Sequence, residues 1–211
     1  EAFPGFYRPG LPKLKGVRAV AYPDENARVA ALIAGDVDLI DYVPWQSMGR
    51  IESEPKLRLD TQNGPFMYLQ FNGRSGPLAN PLVRQAIGFA INRDDIIKGA
   101  FFGRGTPIHG VPLLPANPFY SQSANSTFRF DPAQARALLA KAGVAEGFSC
   151  NLLSTAQYGM HKDTAEVVQQ NLAAIGIQVQ MNLPDWATRV QLGNRGQYDL
   201  AIGGTAVEIT D

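Results

Sequence analysis

Apolar residues recur at helical spacing in several segments of the chain, and most of these segments begin at a capping residue. The clearest is 80–92, where Asn80 precedes a proline and three β-branched residues follow at intervals of four. This pattern predicts an amphipathic helix with an asparagine N-cap. The segment 131–143 repeats it, from an aspartate followed by proline to a closing glycine. The same criteria predict further helices over 24–34, 46–53, 94–101, 162–175 and 185–196.

Shorter apolar or alternating runs predict β-strands between these helices. They cover 17–22, 37–43, 57–61, 66–71, 148–154, 177–183 and 198–203. Helices and strands therefore alternate, which is typical of an α/β fold, and the first two runs would flank the helix 24–34 as a strand–helix–strand unit. The halves 1–75 and 76–211 each carry their own pattern, and the glycine-rich segment 71–80 is a plausible crossing between two lobes.

Composition excludes several classes of partner. Nineteen Lys and Arg balance nineteen Asp and Glu, so nothing indicates the basic surface of a nucleic-acid-binding protein.

The single cysteine, Cys150, allows no intramolecular disulfide and is expected to be a buried apolar residue. The chain begins at Glu1 without a leader and ends after a predicted strand, so we expect an internal fragment of a longer protein.

Residues for catalysis or for a metal site are sparse. The two histidines, His109 and His161, are far apart in sequence and have no cysteine pair beside them, so the spacing of a zinc site is missing. No nucleophile elbow, phosphate-binding loop or dinucleotide fingerprint is present. We therefore expect no cofactor, no metal and no enzymatic activity. Asp36 and Asp38 leave a hydrolase with paired carboxylates as a weaker alternative, although a helix-to-strand turn is their more common meaning.

Six segments in this order resemble one known family, the extracytoplasmic solute-binding proteins of family 5, which serve peptide and nickel ABC importers. They are RVAALIAGDVDLIDYVP, YLQFNG, NPLVRQAIGFAINRDDIIKGAFFGRGTP, FDPAQARALLAKAG, GIQVQMN and QYDLAIGG. The proline-rich stretch 103–120 fits the resemblance too, because family members carry an extended loop after this pair of helices. Long irregular loops in compact domains are usually either functional or disordered.

The resemblance implies a fragment of a bilobed periplasmic-binding-protein-like fold of type II, with mixed sheets flanked by helices. Residues 1–75 would be part of the first lobe and residues 76–211 most of the second. Such a protein would be a monomer that captures a peptide or related small solute between its lobes and delivers it to membrane permease subunits. It would lie in the periplasm, free or lipid-anchored. The alternative is a cytoplasmic transcriptional regulator with a ligand-sensing domain of the same fold.

The family also implies ligand-binding residues after the last strand. Many members read Gly-Trp-x-x-Asp there, and the acid pairs with the α-amine of a bound peptide. In this chain the stretch runs from Gly204 through Thr205 and Ala206 to Glu208. Glu208 would be the amine-binding acid and Thr205 would replace the tryptophan, so a cationic ligand group stays plausible while an ordinary dipeptide pocket is in doubt.

Three further residues are candidate ligand contacts. The family places Asn72 near the lobe crossing at the cleft, and a turn-forming asparagine is the alternative. Tyr158 and His161 lie between a predicted strand and a predicted helix, where α/β sheets often bind ligands. Arg84, on the first turns of an apolar helix, is expected to pair with a carboxylate and stabilise lobe packing.

Overall fold

The structure is a computed structural model that describes residues 3–61, 66–113, 115 and 117–205. Within these residues the α-helices are α1 Glu25–Ala34, α2 Met48–Ser53, α3 Pro81–Ala90, α4 Arg93–Phe101, α5 Pro132–Lys141, α6 Gly159–Ala173 and α7 Trp186–Asn194. The strands are β1 Met67–Phe71, β2 Phe148–Leu153, β3 Ile177–Asn182 and β4 Leu200–Gly204. Short 3₁₀ turns occupy Trp45–Ser47, Pro77–Ala79 and Ala124–Ser126.

The four strands form one mixed sheet in the order β1-β4-β2-β3. β2 runs parallel to both β3 and β4, and β1 runs antiparallel to β4 with Met67 opposite Gly204. β2 and β4 pair only at their Leu152–Leu200 and Leu153–Ala201 positions. β4 therefore extends beyond the end of β2 and leaves part of its backbone unpaired on that side.

The predicted helix N-caps are confirmed. Asn80 accepts a hydrogen bond from the backbone N–H of Leu82 at 2.9 Å, and Asp131 accepts one from that of Gln134 at 2.8 Å. Each bond satisfies one of the backbone donors that a helix leaves open at its first turn. α3 and α5 consequently begin where the sequence pattern indicates.

A single apolar core joins the sheet to helices α3, α5 and α6. Its members are almost fully excluded from solvent, and they include Val83, Ile87, Leu139, Leu152, Leu172, Ile177, Leu200 and Ile202. Burial of large aliphatic side chains contributes roughly 1.5–3 kcal/mol each relative to an exposed position. The core therefore fixes the strands and the helices whose ends carry the candidate site.

Three predicted strands are wrong. The runs 17–22, 37–43 and 57–61 form no strand, although helix α1 forms between the first two. Val17 is 80% exposed and Leu39 is 79% exposed, so these apolar positions are not buried in a sheet. An alternating pattern yields a strand only where a neighbour pairs with its backbone, and no described residue pairs with these runs.

The carboxylate partner expected for Arg84 is not found among the described residues. Its Nη1 donates to the backbone carbonyls of Leu78 at 2.8 Å and Ala79 at 2.9 Å. These carbonyls belong to the 3₁₀ turn before α3, and such turns leave carbonyl groups in need of donors. Arg84 thus fixes the entry into α3 through backbone oxygens.

Candidate functional site

The predicted residues Tyr158, His161, Gly204 and Thr205 lie together at the carboxyl edge of β2 and β4. β2 ends at Leu153, and the chain turns there into α6 with Tyr158 as its N-cap residue. The turn is held because Ser154 Oγ donates to the His161 carbonyl at 2.9 Å. β4 continues to Gly204, past the end of β2, so its last residues reach the first turn of α6.

His161 is the most enclosed residue of this group, with 3% of its surface exposed. Burial, with a contribution from the positive charge of Arg189, lowers the pKa of His161 to about 4. Its Nδ1 has no hydrogen-bond partner among the described residues. A β-carbon on Gly204 would lie 3.9 Å from both Cε1 and Nε2 of the ring. His161 is therefore neutral at physiological pH and packs close to the end of β4.

Four rings form what we call the aromatic cluster: Tyr42, Tyr158, His161 and Trp186. The centroids of Tyr158 and Trp186 lie 5.3 Å apart and those of His161 and Trp186 lie 5.5 Å apart, both edge-on. Tyr42 joins through Tyr158 at 5.6 Å. Edge-on contacts at these distances are favourable. The cluster thus combines rings from the segment before α2, from the start of α6 and from the start of α7.

Arg189, one helical turn after Trp186, completes the site. Its guanidinium carbon lies 5.5 Å from the centroid of the Trp186 ring, which is a cation–π geometry. Its Nη2 donates to the carbonyl of Ile202, on the part of β4 that β2 does not cover. Its Nε is buried and has no partner within the described residues.

Sequence reasoning missed both Trp186 and Arg189. The signal was present, because Asp185 caps α7 directly after β3 and its carboxylate accepts from the Thr188 N–H at 3.0 Å. β3 runs parallel to β2, so the helix after it begins at the same sheet edge as α6. The first turns of the two helices were therefore predictable neighbours.

Residues before position 75 contact the start of α6 directly. Met160 Sδ accepts from Trp45 Nε1 at 3.2 Å and from the Tyr42 hydroxyl at 3.6 Å, and the Gly159 N–H donates to Glu25 Oε2 at 3.2 Å. Tyr42 has a left-handed backbone with φ of 62°, which is uncommon for a residue with a β-carbon.

A polar cleft of about 500 Å³ lies beside these contacts. It separates the start of α1 and Gln46 from the turn that leads into α6, and its lining includes Glu25, Gln157 and Lys162. The cleft is therefore bounded on one side by residues of 1–75 and on the other by residues of 76–211.

The structure does not bring Asn72 into this group. Its Nδ2 donates to the carbonyls of Gly196 at 3.0 Å and Tyr198 at 2.9 Å, and its own N–H donates to the Asp199 carbonyl at 2.8 Å. Asn72 bonds to Asp199, which is five positions before Gly204, or roughly 16 Å along a strand. The described contacts of Asn72 are those of a turn-forming residue, and its role in ligand binding stays a prediction.

Thr205 forms hydrogen bonds with Phe66, the residue immediately before β1. Its N–H donates to the Phe66 carbonyl, and its Oγ1 accepts from the Phe66 N–H, both at 3.0 Å. These bonds extend the β1–β4 ladder by one residue beyond Gly204. Ala206 and Glu208 lie outside the described residues.

Comparisons with known proteins agree with this architecture. The model of the family "bacterial extracellular solute-binding proteins, family 5 Middle" matches residues 1–211. The chain belongs to this family. The predicted fold is confirmed as well: it is the mixed α/β fold of periplasmic binding proteins, since the described residues superimpose on solved members.

Two solved structures and one curated relative illustrate the similarity. The PBP AgaA from A. tumefaciens, in complex with agropinic acid, is 45% identical with a TM-score of 0.83 over 90% of this chain and 39% of its own. The periplasmic binding protein DppA from Helicobacter pylori, in complex with the peptide STSA, is 28% identical with a TM-score of 0.82 over 90% of this chain and 36% of its own. The glutathione-binding protein GsiB of Escherichia coli strain 536 is 33% identical over 204 residues, which are 96% of this chain.

The chain spans about two fifths of the length of these relatives, since the match covers 39% of GsiB. None of the helices in the described part of the chain has the length and apolar character needed to cross a membrane.

Proposed function

We propose that the chain contributes most of the second lobe, residues 76–211, and part of the first lobe, residues 1–75, to an extracytoplasmic solute-binding protein of an ABC importer. The solute is a peptide or another small molecule derived from amino acids, bound at the carboxyl edge of the sheet. The proposal rests chiefly on the aromatic cluster, in which Tyr42 from 1–75 packs against Tyr158 from 76–211, and Tyr158 packs in turn against Trp186. The ligands named for the relatives, glutathione, agropinic acid and a peptide, support this solute class.

The mechanism we propose is closure of a clamp. A solute that contacts both halves of the site stabilises the closed arrangement and shifts the population toward it. Tyr42 and Trp45 are suited to this role because both, from residues 1–75, donate to the thioether of Met160 at the start of α6. The neutral His161 and the rings around it would exclude water from polar groups of the solute, which strengthens their hydrogen bonds.

Delivery to membrane permease subunits, a location in the periplasm or on a lipid anchor, and a monomeric state complete the proposal. A cytoplasmic regulator of the same fold is the alternative, and the description of DppA as a transporter-associated periplasmic protein favours the importer. We propose no catalytic step.

The test uses the full-length protein and isothermal titration calorimetry with glutathione, agropinic acid and a mixture of short peptides. Trp186→Ala should weaken binding at least about tenfold, because it removes a large aromatic contact from the site. Tyr7→Ala is the control, since Tyr7 is 77% exposed and outside the aromatic cluster. Equal affinity of the Trp186 variant and the wild type would contradict the placement of the site.

Glu208 is tested separately. If it binds an amine of the solute, Glu208→Gln should weaken binding of a peptide with a free amino terminus far more than binding of the same peptide acetylated at that end. Equal losses for the two peptides would refute this role.

A further inference from the structure

Arg189 carries a positive charge into the aromatic cluster, and no carboxylate of the described residues forms an ion pair with it. The ion pairs found among the described residues are Arg58–Asp60, Arg104–Glu52 and Lys162–Glu166, and Arg189 belongs to none of them. Its described contacts are the Trp186 ring and the carbonyl of Ile202.

Within residues 3–61, 66–113, 115 and 117–205, the surroundings of Arg189 supply no counter-charge. A guanidinium is charged at every accessible pH and has five N–H donors. The Ile202 carbonyl accepts from one of them, and the Nε donor is buried without a partner in the described part of the chain. His161 is next to it and neutral, so it supplies no counter-charge. Arg189 is half-buried, and none of its other donors has an acceptor among the described residues, so they are available to an anionic group.

We propose that Arg189 binds a carboxylate of the solute, so that this site selects acid-bearing solutes. The inference rests on the proposed function and deepens it by naming the group that is recognised. The planar guanidinium matches a carboxylate through two parallel hydrogen bonds, and packing against the Trp186 ring restricts its orientation in advance. The unpartnered Nδ1 of the buried His161 is a second polar atom available at the same place.

A purely structural role for Arg189 predicts something different. Its bond to Ile202 covers a stretch of β4 that β2 leaves unpaired, and a residue that only did this would matter equally for every solute. The two roles are therefore separated by comparing an acid with its neutral derivative and not by loss of binding alone.

The experiment is calorimetry on the full-length protein with agropinic acid and glutathione, each compared with its carboxamide derivative. Arg189→Gln should weaken binding of the acids by about tenfold to a hundredfold, as expected for a lost hydrogen bond to a charged group, and binding of the amides by less than about threefold. Arg195→Gln is the matched control, because Arg195 is exposed and follows the same helix. It should leave both affinities unchanged.

Arg189→Lys keeps the charge but not the two-pronged geometry, and it serves if the glutamine variant does not fold. It should reduce the preference for acid over amide by at least about fivefold. Equal losses for acid and amide in either variant would overturn the assignment of Arg189 while leaving the proposed function intact. Failure of the wild-type protein to bind any of these solutes would overturn the proposed function and the inference with it.

Discussion

The buried His161 should make folding stability depend on pH between about pH 6.5 and pH 4. An unfolded histidine has a pKa near 6.5, whereas burial and Arg189 hold that of His161 at about 4 in the folded protein. Between these two pH values the histidine is protonated in the unfolded chain but not in the folded protein. Stability is therefore fully present above the unfolded pKa and falls as the pH is lowered toward the folded one.

The size of this effect follows from the two pKa values. At pH 7 both states are largely neutral at this position, and at pH 5 the unfolded histidine is almost fully protonated while the folded one is not. The difference amounts to about 2 kcal/mol of unfolding free energy lost between pH 7 and pH 5. Asp163, two residues along α6, has its pKa raised by burial and by Glu166, which acts on stability in the opposite direction.

The assay is urea unfolding of the protein at both pH values, for the wild type and for His161→Gln. Subtracting the variant removes the contribution of Asp163, because that residue is present in both proteins. We expect the loss on going from pH 7 to pH 5 to be about 2 kcal/mol smaller in the variant. Identical pH dependence of the two proteins, or an NMR titration of the His161 ring with a midpoint near 6.5, would refute the argument.

Three further substitutions test the fold. Gly147→Ala should cost about 3 kcal/mol or more, because its left-handed backbone disfavours a side chain and a β-carbon there would overlap the Gly176 carbonyl. Gly143→Ala has the same backbone strain with nothing within 4 Å and should cost only about 1–2 kcal/mol; similar melting temperatures would contradict the overlap. Asn72→Ala should cost about 1–3 kcal/mol of unfolding free energy by leaving the carbonyls of Gly196 and Tyr198 without their donor. Denaturant unfolding measures this loss, and an unchanged stability would show that water replaces the amide and would contradict the prediction.

Helices were predicted well because their signals are local. Asn80 and Asp131 determine where α3 and α5 begin through bonds to residues two and three positions away. Nothing distant in sequence is needed for such a cap to form. The helical face of α3 then meets the core, as its apolar spacing predicts.

Some strand predictions are confirmed and others are wrong, because a strand forms only beside a pairing strand and the apolar pattern does not show which segment that is. The run 66–71 succeeds since β4, about 130 residues later, pairs with it, with Met67 opposite Gly204. The run 17–22 has a similar apolar pattern but no pairing partner in the described part of the chain. Alternation alone indicates which side chains could be buried and does not indicate whether the backbone is paired.

The candidate site was predictable to the extent that it follows from the parallel strands. Tyr158 and His161 were found because the loop after a parallel strand reaches the edge where ligands bind. The same rule applied to the loop after β3 predicts that Trp186 lies at this edge, so this residue could have been predicted from the sequence as well. The contribution of Tyr42 does not follow from this rule, because the run 37–43 forms no strand and Tyr42 reaches Tyr158 through the packing of the irregular residues 35–44 against α6.

The site is created by the offset between β2 and β4 along the sheet. β2 stops at Leu153, where the chain must turn into α6, but β4 continues three residues beyond its last pairing with β2. On the side that β2 vacates, the backbone of β4 needs another donor, and Arg189 supplies one to Ile202. This bond holds the positively charged guanidinium of Arg189 beside His161 and Trp186, whose rings exclude water. If β2 and β4 ended at the same edge, that carbonyl would be paired within the ladder, and Arg189 would have no backbone acceptor to hold it beside the ring of Trp186.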